Sequence, residues 1–219
     1  MKRIANLTLL TLATALLIAC SKDENAVTTQ PVQSVTVRDL AADPTSTTAV
    51  STTASSGTAV QPLPATGKYT LYSLRDNKVI ANTDSASNKW DIGFRSTSII
   101  INGGAIRSGQ GGANVYTGTF DALTAIPTSA TFAQDQSATQ LAVPGGSGNG
   151  WYNYSSSTNL VSAIPGRVLL IRTGDGTKYA KLEILSYYLG APASPTSTTP
   201  SRYFTFRYTY QPNGSMTLN

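Results

Sequence analysis

GRVLLIRTGDGTKYAKLEILSYY, residues 166–188, decides the fold. Val168 to Ile171 is a short apolar run rich in branched side chains, with the length and composition of a buried strand. Thr173-Gly174-Asp175-Gly176-Thr177 interrupts it with residues that tolerate positive φ, the chemistry of a tight hairpin turn. Beyond the turn, Ala180, Leu182 and Ile184 alternate with Tyr179, Lys181 and Glu183, the period of a strand with one wet face. The reading is a long antiparallel ribbon. A two-stranded ribbon is marginal alone, so further strands must cover its apolar face.

The flanking sequence supplies them. Lys68–Leu74 and Lys78–Ala81 alternate about Asp76-Asn77 and read as a first hairpin. Asn88–Phe94 is a strand placing Trp90, Ile92 and Phe94 on one face, and Ser98–Asn102 is another. Ala138–Val143 is a further candidate strand. Arg202, Phe204, Phe206, Tyr208 and Tyr210 alternate with Tyr203, Thr205, Arg207 and Thr209, and Pro212-Asn213-Gly214-Ser215 turns into a last strand, Met216–Leu218. The fold class expected is all-β, with packed antiparallel sheets.

Composition bounds the chemistry. Hydrophobic residues make up 40% of the 219, enough for one core, while charged residues are only 12%, about half the usual share. There is no histidine, and the single cysteine, Cys20, excludes an internal disulfide and a cysteine metal cluster. Lys2 and Arg3 precede an apolar run over Leu7–Ala19 that is too short to span a bilayer, and Leu17-Ile18-Ala19-Cys20 matches a bacterial lipobox. Residues 1–19 are therefore expected to be a lipoprotein signal peptide, with Cys20 the lipidated first residue of the mature chain. Each buried CH₂ of such a lipid contributes about 0.8 kcal/mol of anchoring. Ser21-Lys22-Asp23-Glu24 resembles the Lys-acidic tag that sends some Gram-negative lipoproteins to the outer surface.

Loss of Lys2 and Arg3 lowers the formal charge from +5 to +3 (5 − 2), and no basic stripe is present, so nucleic acid is not an expected partner. Residues 20–67 are mainly Thr, Ser, Ala, Pro and Val, as in TSTTAVSTTASSGTAVQPLPATG, a composition too poor in core-forming side chains to fold independently. They read as a tether, within which Gln33–Leu40 alternates as a strand does. The folded domain is expected over 68–219.

Gly103-Gly104-Ala105-Ile106-Arg107-Ser108-Gly109-Gln110-Gly111-Gly112-Ala113 invites a phosphate-loop reading, but no Lys-Ser/Thr follows, GxGxxG is absent and nothing downstream reads as helical. It carries special backbone conformations between strands instead. Trp90-Asp91-Ile92-Gly93-Phe94, Ile101-Asn102-Gly103-Gly104 and Ser108–Ala113 together resemble the central motif of the HmuY family, lipid-anchored haem-binding proteins of Gram-negative bacteria. The resemblance resumes at Gly150-Trp151-Tyr152-Asn153-Tyr154 and runs through Arg167–Gly176 and Ala180-Lys181-Leu182 to Tyr203–Tyr210. It implies an all-β fold that clasps haem at one end, capture of haem or haemoproteins for iron acquisition, and delivery to an outer-membrane transporter.

Catalysis fails on inventory. Without histidine there is no Ser-His-Asp triad, Cys-His dyad or HExxH zinc site. The carboxylates from Lys68 onward carry no marked pair, and DxDxDG spacing is absent, so neither enzyme nor calcium site is expected. The binding candidates are Trp151, Tyr152 and Tyr154, which suit stacking on a flat ligand or a sugar, with Arg95 and Arg107 as partners for a ligand carboxylate. The family's haem ligands are histidine or methionine. The resemblance places one of them at Ser156 and the other in the loop Gln134–Gly150, where neither residue type occurs. Two alternatives stay open: the same fold without iron ligation, binding a glycan, a peptide or iron-free porphyrin, and a purely structural surface protein.

Overall fold

The computed structural model describes residues 29–43 and 65–219. The signal peptide at 1–19, Cys20 and most of the expected tether lie outside the described residues. Eleven strands form in chain order: β1 Gln33–Ala41, β2 Thr70–Ser73, β3 Lys78–Ile80, β4 Ile92–Arg95, β5 Ser98–Ile101, β6 Gly112–Thr117, β7 Tyr152–Ser155, β8 Leu160–Ala163, β9 Arg167–Arg172, β10 Tyr179–Tyr188 and β11 Ser201–Gln211. All pair antiparallel. A five-stranded sheet runs β1-β11-β10-β9-β6, a four-stranded sheet runs β3-β2-β4-β5, and β7-β8 is a separate hairpin. The all-β expectation holds, and no helix among the described residues is long and apolar enough to cross a membrane.

The 166–188 ribbon is β9 and β10, in register from Tyr179↔Arg172 to Leu182↔Leu169. Its apolar run is continuous because both faces of β9 are covered. Leu169 and Ile171 join the main core between the two sheets, where they meet Ile92, Phe94 and Ile101, whereas Val168 and Leu170 join a second cluster with Phe120, Leu123 and Ile126. That second layer corrects the reading of β10. Lys181 is buried, its Nζ donating to the carbonyls of Phe120 and Leu123, both at 2.8 Å, so the second face is covered there, while Tyr179 and Glu183 on it stay partly exposed. A buried ammonium survives there because carbonyls replace its water.

Four further expectations are corrected. The tether contains a strand of the main sheet: β1 pairs along β11 from Gln33↔Tyr210 to Ala41↔Tyr203, so the folded body begins before Lys68. The strand adds partly buried Val35 and Val37 and buried Leu40 to the main core, and eleven-residue β11 supplies the pairing. Residues 138–143 form no strand. Their backbone is claimed by buried Asp135, whose Oδ1 accepts the Ala142 N–H at 2.9 Å. Residues 216–218 give a single bridge, Ala125↔Thr217, in place of a hairpin strand. Trp90 packs with Leu71, Ile80 and Ile100 on the outer face of the smaller sheet, away from Ile92 and Phe94.

The glycine-rich motif builds one end of this sandwich. Buried Asn102 donates from Nδ2 to the carbonyls of Ser87 and Trp90, both at 2.8 Å, and accepts the Gly109 N–H at 3.1 Å. Asp91 accepts the N–H groups of Leu74 and Gly174, each at 2.8 Å. A Cβ at Gly103 would overlap the Gly111 carbonyl, and one at Gly174 would overlap the Trp90 carbonyl. Here glycine is needed for close backbone approach. Burial pushes the Asp91 carboxyl up to about 6 against the pull of its two N–H donors.

Candidate functional site

The opposite end of the sandwich is open. A cavity of about 430 Å³ lies where the ends of β10 and β11, the β7–β8 hairpin and the β4–β5 turn converge, within the usual size range of small-molecule sites. Tyr152, Tyr154, Leu160 and Val161 come from the hairpin, Tyr187 and Tyr188 from the end of β10, and Ser96 and Thr97 from the β4–β5 turn. Thr196, Thr199, Ser201 and Arg202 form the remaining wall.

Local backbone irregularity aims these side chains. The β10–β11 register shifts between Ile184 and Ser186 and again between Ser186 and Tyr188, so consecutive Tyr187 and Tyr188 both turn inward. Arg202 sits at φ 67°, Ser96 at 49° and Asn159 at 55°, left-handed conformations that are uncommon for residues with a Cβ. Each costs of order 1 kcal/mol and persists only where neighbours hold it. The Ala42 N–H donates to the Arg202 carbonyl and the Ser96 N–H to the Ala42 carbonyl, each at 2.8 Å, a relay that locks two of the three.

Of the residues expected at the site, Tyr152 and Tyr154 meet in this cavity. Tyr154 is 47% exposed and presents an open ring face, and its hydroxyl donates to Asn159 Oδ1 at 2.8 Å. Trp151 stands behind the wall. It is 2% exposed, its indole N–H donates to the Thr97 carbonyl at 2.9 Å, and its ring packs on Tyr152 and Phe204 at 5.0 and 5.1 Å. Ser156 is exposed in the β7–β8 turn and does not line the cavity. From the loop 134–150, Ser147 reaches it. Arg95 is held over the Tyr69 ring at 4.4 Å and donates to the Gly67 carbonyl, and Arg107 lies 3.4 Å from Asp135, so neither arginine serves the cavity.

Sequence reading missed Tyr187, Tyr188, Arg202 and the loop before it. The adjacent tyrosines break the period-two pattern of β10, which is the available signal for a bulge. The loop, ASPTSTTPS at 193–201, carries no signal beyond polarity.

The donor set tests whether haem fits. The walls offer flat aromatic and aliphatic surface, several hydroxyls and one guanidinium, which suit a planar ring with an anionic edge. They offer no nitrogen or sulfur to iron. The chain lacks histidine, and Met216 lies in the C-terminal segment outside the cavity. The described residues hold no cluster of three or more His, Cys, Asp or Glu suited to a metal ion. Phenols are the oxygen candidates. Burial holds the Tyr187 phenol above its ordinary value, and the Tyr188 hydroxyl accepts the Val161 N–H at 2.9 Å. Tyr152 and Tyr154 are the other two phenols lining the cavity.

Residues 65–208 match the family model described as HmuY protein. The chain belongs to the HmuY family. No curated protein matches it. The HmuY-family match begins after β1, so the N-terminal edge strand lies outside the matched region. Within that region, the Asn102-Gly103-Gly104 and Gly109–Ala113 motifs sit at the closed end of the sandwich, and the Gly-Trp-x-x-Tyr segment leads into the cavity wall.

Proposed function

We propose that this HmuY-family protein is a lipid-anchored, non-enzymatic surface protein that captures haem or a closely related flat tetrapyrrole in the tyrosine-lined cavity, as an accessory to an outer-membrane transporter. The observation that carries this reading is the convergence of Tyr152, Tyr154, Tyr187 and Tyr188 around a cavity of about 430 Å³ at one end of the fold. Burying a planar apolar ring there contributes about 25 cal/mol per Å² of area removed from water. A phenol oxygen of Tyr152 or Tyr154 is the available contact to iron. Haem bound this way has a high-spin spectrum and lacks the sharp low-spin bands of two nitrogen ligands.

The anchor fits the geometry. With the lipid on Cys20, residues 21–32 precede β1, and twelve residues reach at most about 43 Å. β1 enters beside Tyr210, and Gln30 and Asn213 exchange hydrogen bonds of 2.9 and 2.7 Å there. Arg202 and the cavity lie at the other end of β11, about 27 Å along the strand at 3.4 Å per residue. The opening is therefore at the end of the fold opposite the one the anchored segment enters.

Titration of untagged mature protein with haemin, followed by its absorbance, tests the reading. The expected result is saturable binding with a high-spin spectrum, weakened about tenfold by Tyr154→Ala. Absence of binding, or an affinity untouched by Tyr154→Ala and Tyr152→Ala together, would place the site elsewhere or remove it.

A further inference from the structure

Among the described residues lining the cavity, Arg202 is the one charged side chain, and none is acidic. Its guanidinium is fixed in place, and the Asp43 carboxylate feels its charge without forming an ion pair with it. Nη1 donates to the Asp43 backbone carbonyl at 3.0 Å, and no carboxylate among the described residues lies within ion-pair distance of it. Arg95, Arg167 and Arg172 likewise donate to carbonyls with no carboxylate partner among the described residues but lie outside the cavity, while other arginines are paired. Arg207 is clamped by Glu183 at 2.7 Å and by both oxygens of Asp121 at 3.0 and 3.1 Å, and Arg107 faces Asp135. The nearby Asp43 carboxylate is already occupied by the Thr66 N–H and hydroxyl and by the Gly67 N–H.

Backbone geometry holds this cation in place. Arg202 occupies the bulge of β11 at φ 67°, and its carbonyl takes the Ala42 N–H. A strained residue carrying an unpaired but immobilised guanidinium at a cavity wall is poorly explained by folding alone, since glycine would adopt the same φ more cheaply. Arginine's planar fork matches a carboxylate with two parallel N–H···O bonds. Around it stand neutral donors, the Ser96 and Ser201 hydroxyls and the Tyr187 phenol, which suit the same anion.

We propose that the cavity selects its ligand through a carboxylate seated on Arg202, so that binding of a tetrapyrrole follows its acidic edge and ring face and does not depend on iron. This rests on the reading that the cavity takes a tetrapyrrole. The iron site is then dispensable, which accounts for a cavity of this form in a chain without histidine. Arg202 is a specificity residue for the anionic edge, and the tyrosines supply the platform.

The test uses untagged mature protein and three probes, haemin, protoporphyrin IX and protoporphyrin IX dimethyl ester, measured by absorbance and by quenching of protein fluorescence. Wild type is expected to bind haemin and protoporphyrin IX within about threefold of each other, and the dimethyl ester at least tenfold more weakly. Arg202→Gln keeps a donor toward the Asp43 carbonyl and should lose the same tenfold for both free acids. It should lose nothing further for the ester, because the two changes remove one contact. Arg202→Lys should fall between. A melting temperature unchanged in Arg202→Gln separates lost contact from lost fold; if it drops, the ester comparison in wild type decides alone. Equal affinity for ester and acid, or haemin bound more than thirtyfold tighter than the iron-free ring, overturns the proposal and leaves the tetrapyrrole reading standing. Failure of all three probes to bind overturns both.

Discussion

The two ends of the sandwich solve the same backbone problem differently. At the closed end, Gly103, Gly109, Gly111 and Gly174 let chain segments approach to distances that a Cβ would forbid, and buried Asn102 and Asp91 satisfy the exposed peptide groups. At the open end, Ser96, Asn159 and Arg202 hold left-handed conformations with side chains attached, and those side chains line the cavity. Where the chain needs only closure it uses glycine. At the cavity, three left-handed residues keep side chains that line it. The difference separates residues that make the fold from residues that use it.

The largest effect expected on breaking this contrast is at Gly174. Gly174→Ala drives a methyl into the Trp90 carbonyl and displaces a donor to Asp91, so it should cost about 4 kcal/mol or prevent folding. Denaturant unfolding checks this, and Thr196→Ala at the open end should change stability by less than about 0.5 kcal/mol. Next comes the edge strand. A chain beginning at Lys68 leaves β11 unpaired along Tyr203–Tyr210, and should unfold at lower urea and self-associate through the exposed edge. Size-exclusion chromatography reads the second effect directly. If that shorter chain is monomeric and equally stable, β1 is an ornament and the boundary expected from sequence was adequate.

A smaller effect concerns pH. The folded-state value of Asp91 is raised to about 6 by burial, above its unfolded value near 3.9. The native state therefore binds this proton more tightly than the unfolded chain. The associated stability is fully present below about pH 4 and is lost as pH rises through about 6. Unfolding between pH 4 and 7 should show a decline of order 2 kcal/mol from this group, absent in Asp91→Asn. Ligand affinity should be indifferent to Asp91→Asn, because the residue belongs to the closed end. Smallest of all is the stability change at Tyr154→Ala, within about 0.5 kcal/mol, since the ring is half exposed and anchored by one hydrogen bond to Asn159.

The same contrast explains what the sequence disclosed. The ribbon was legible because Val168–Ile171, the Thr173–Thr177 turn and the alternation after it are local signals, each readable within a few residues. The glycine motif was legible as backbone chemistry for the same reason. β1 was half legible: its alternation is plain, but its partner lies about 170 residues away and only that partner makes it part of the fold. At the cavity, Tyr152 and Tyr154 stood out as a cluster. Tyr187, Tyr188 and Arg202 did not, because two register shifts and one positive φ turn them inward, and neither feature leaves a residue-type signature. Trp151 looked like a ligand platform and is core, which only its contacts with Phe204 and Thr97 reveal.

The central claim is that ligand engages the open end and leaves the closed end untouched. Amide hydrogen exchange of the mature protein, with and without saturating protoporphyrin IX, measures this along the whole chain. Slowed exchange is predicted over Tyr152–Val161, at Tyr187 and Tyr188 and over Thr196–Arg202, with no change over Asn102–Gly112 or at Gly174. Protection appearing in the glycine-rich segment, with the β7–β8 hairpin unaffected, would contradict the account.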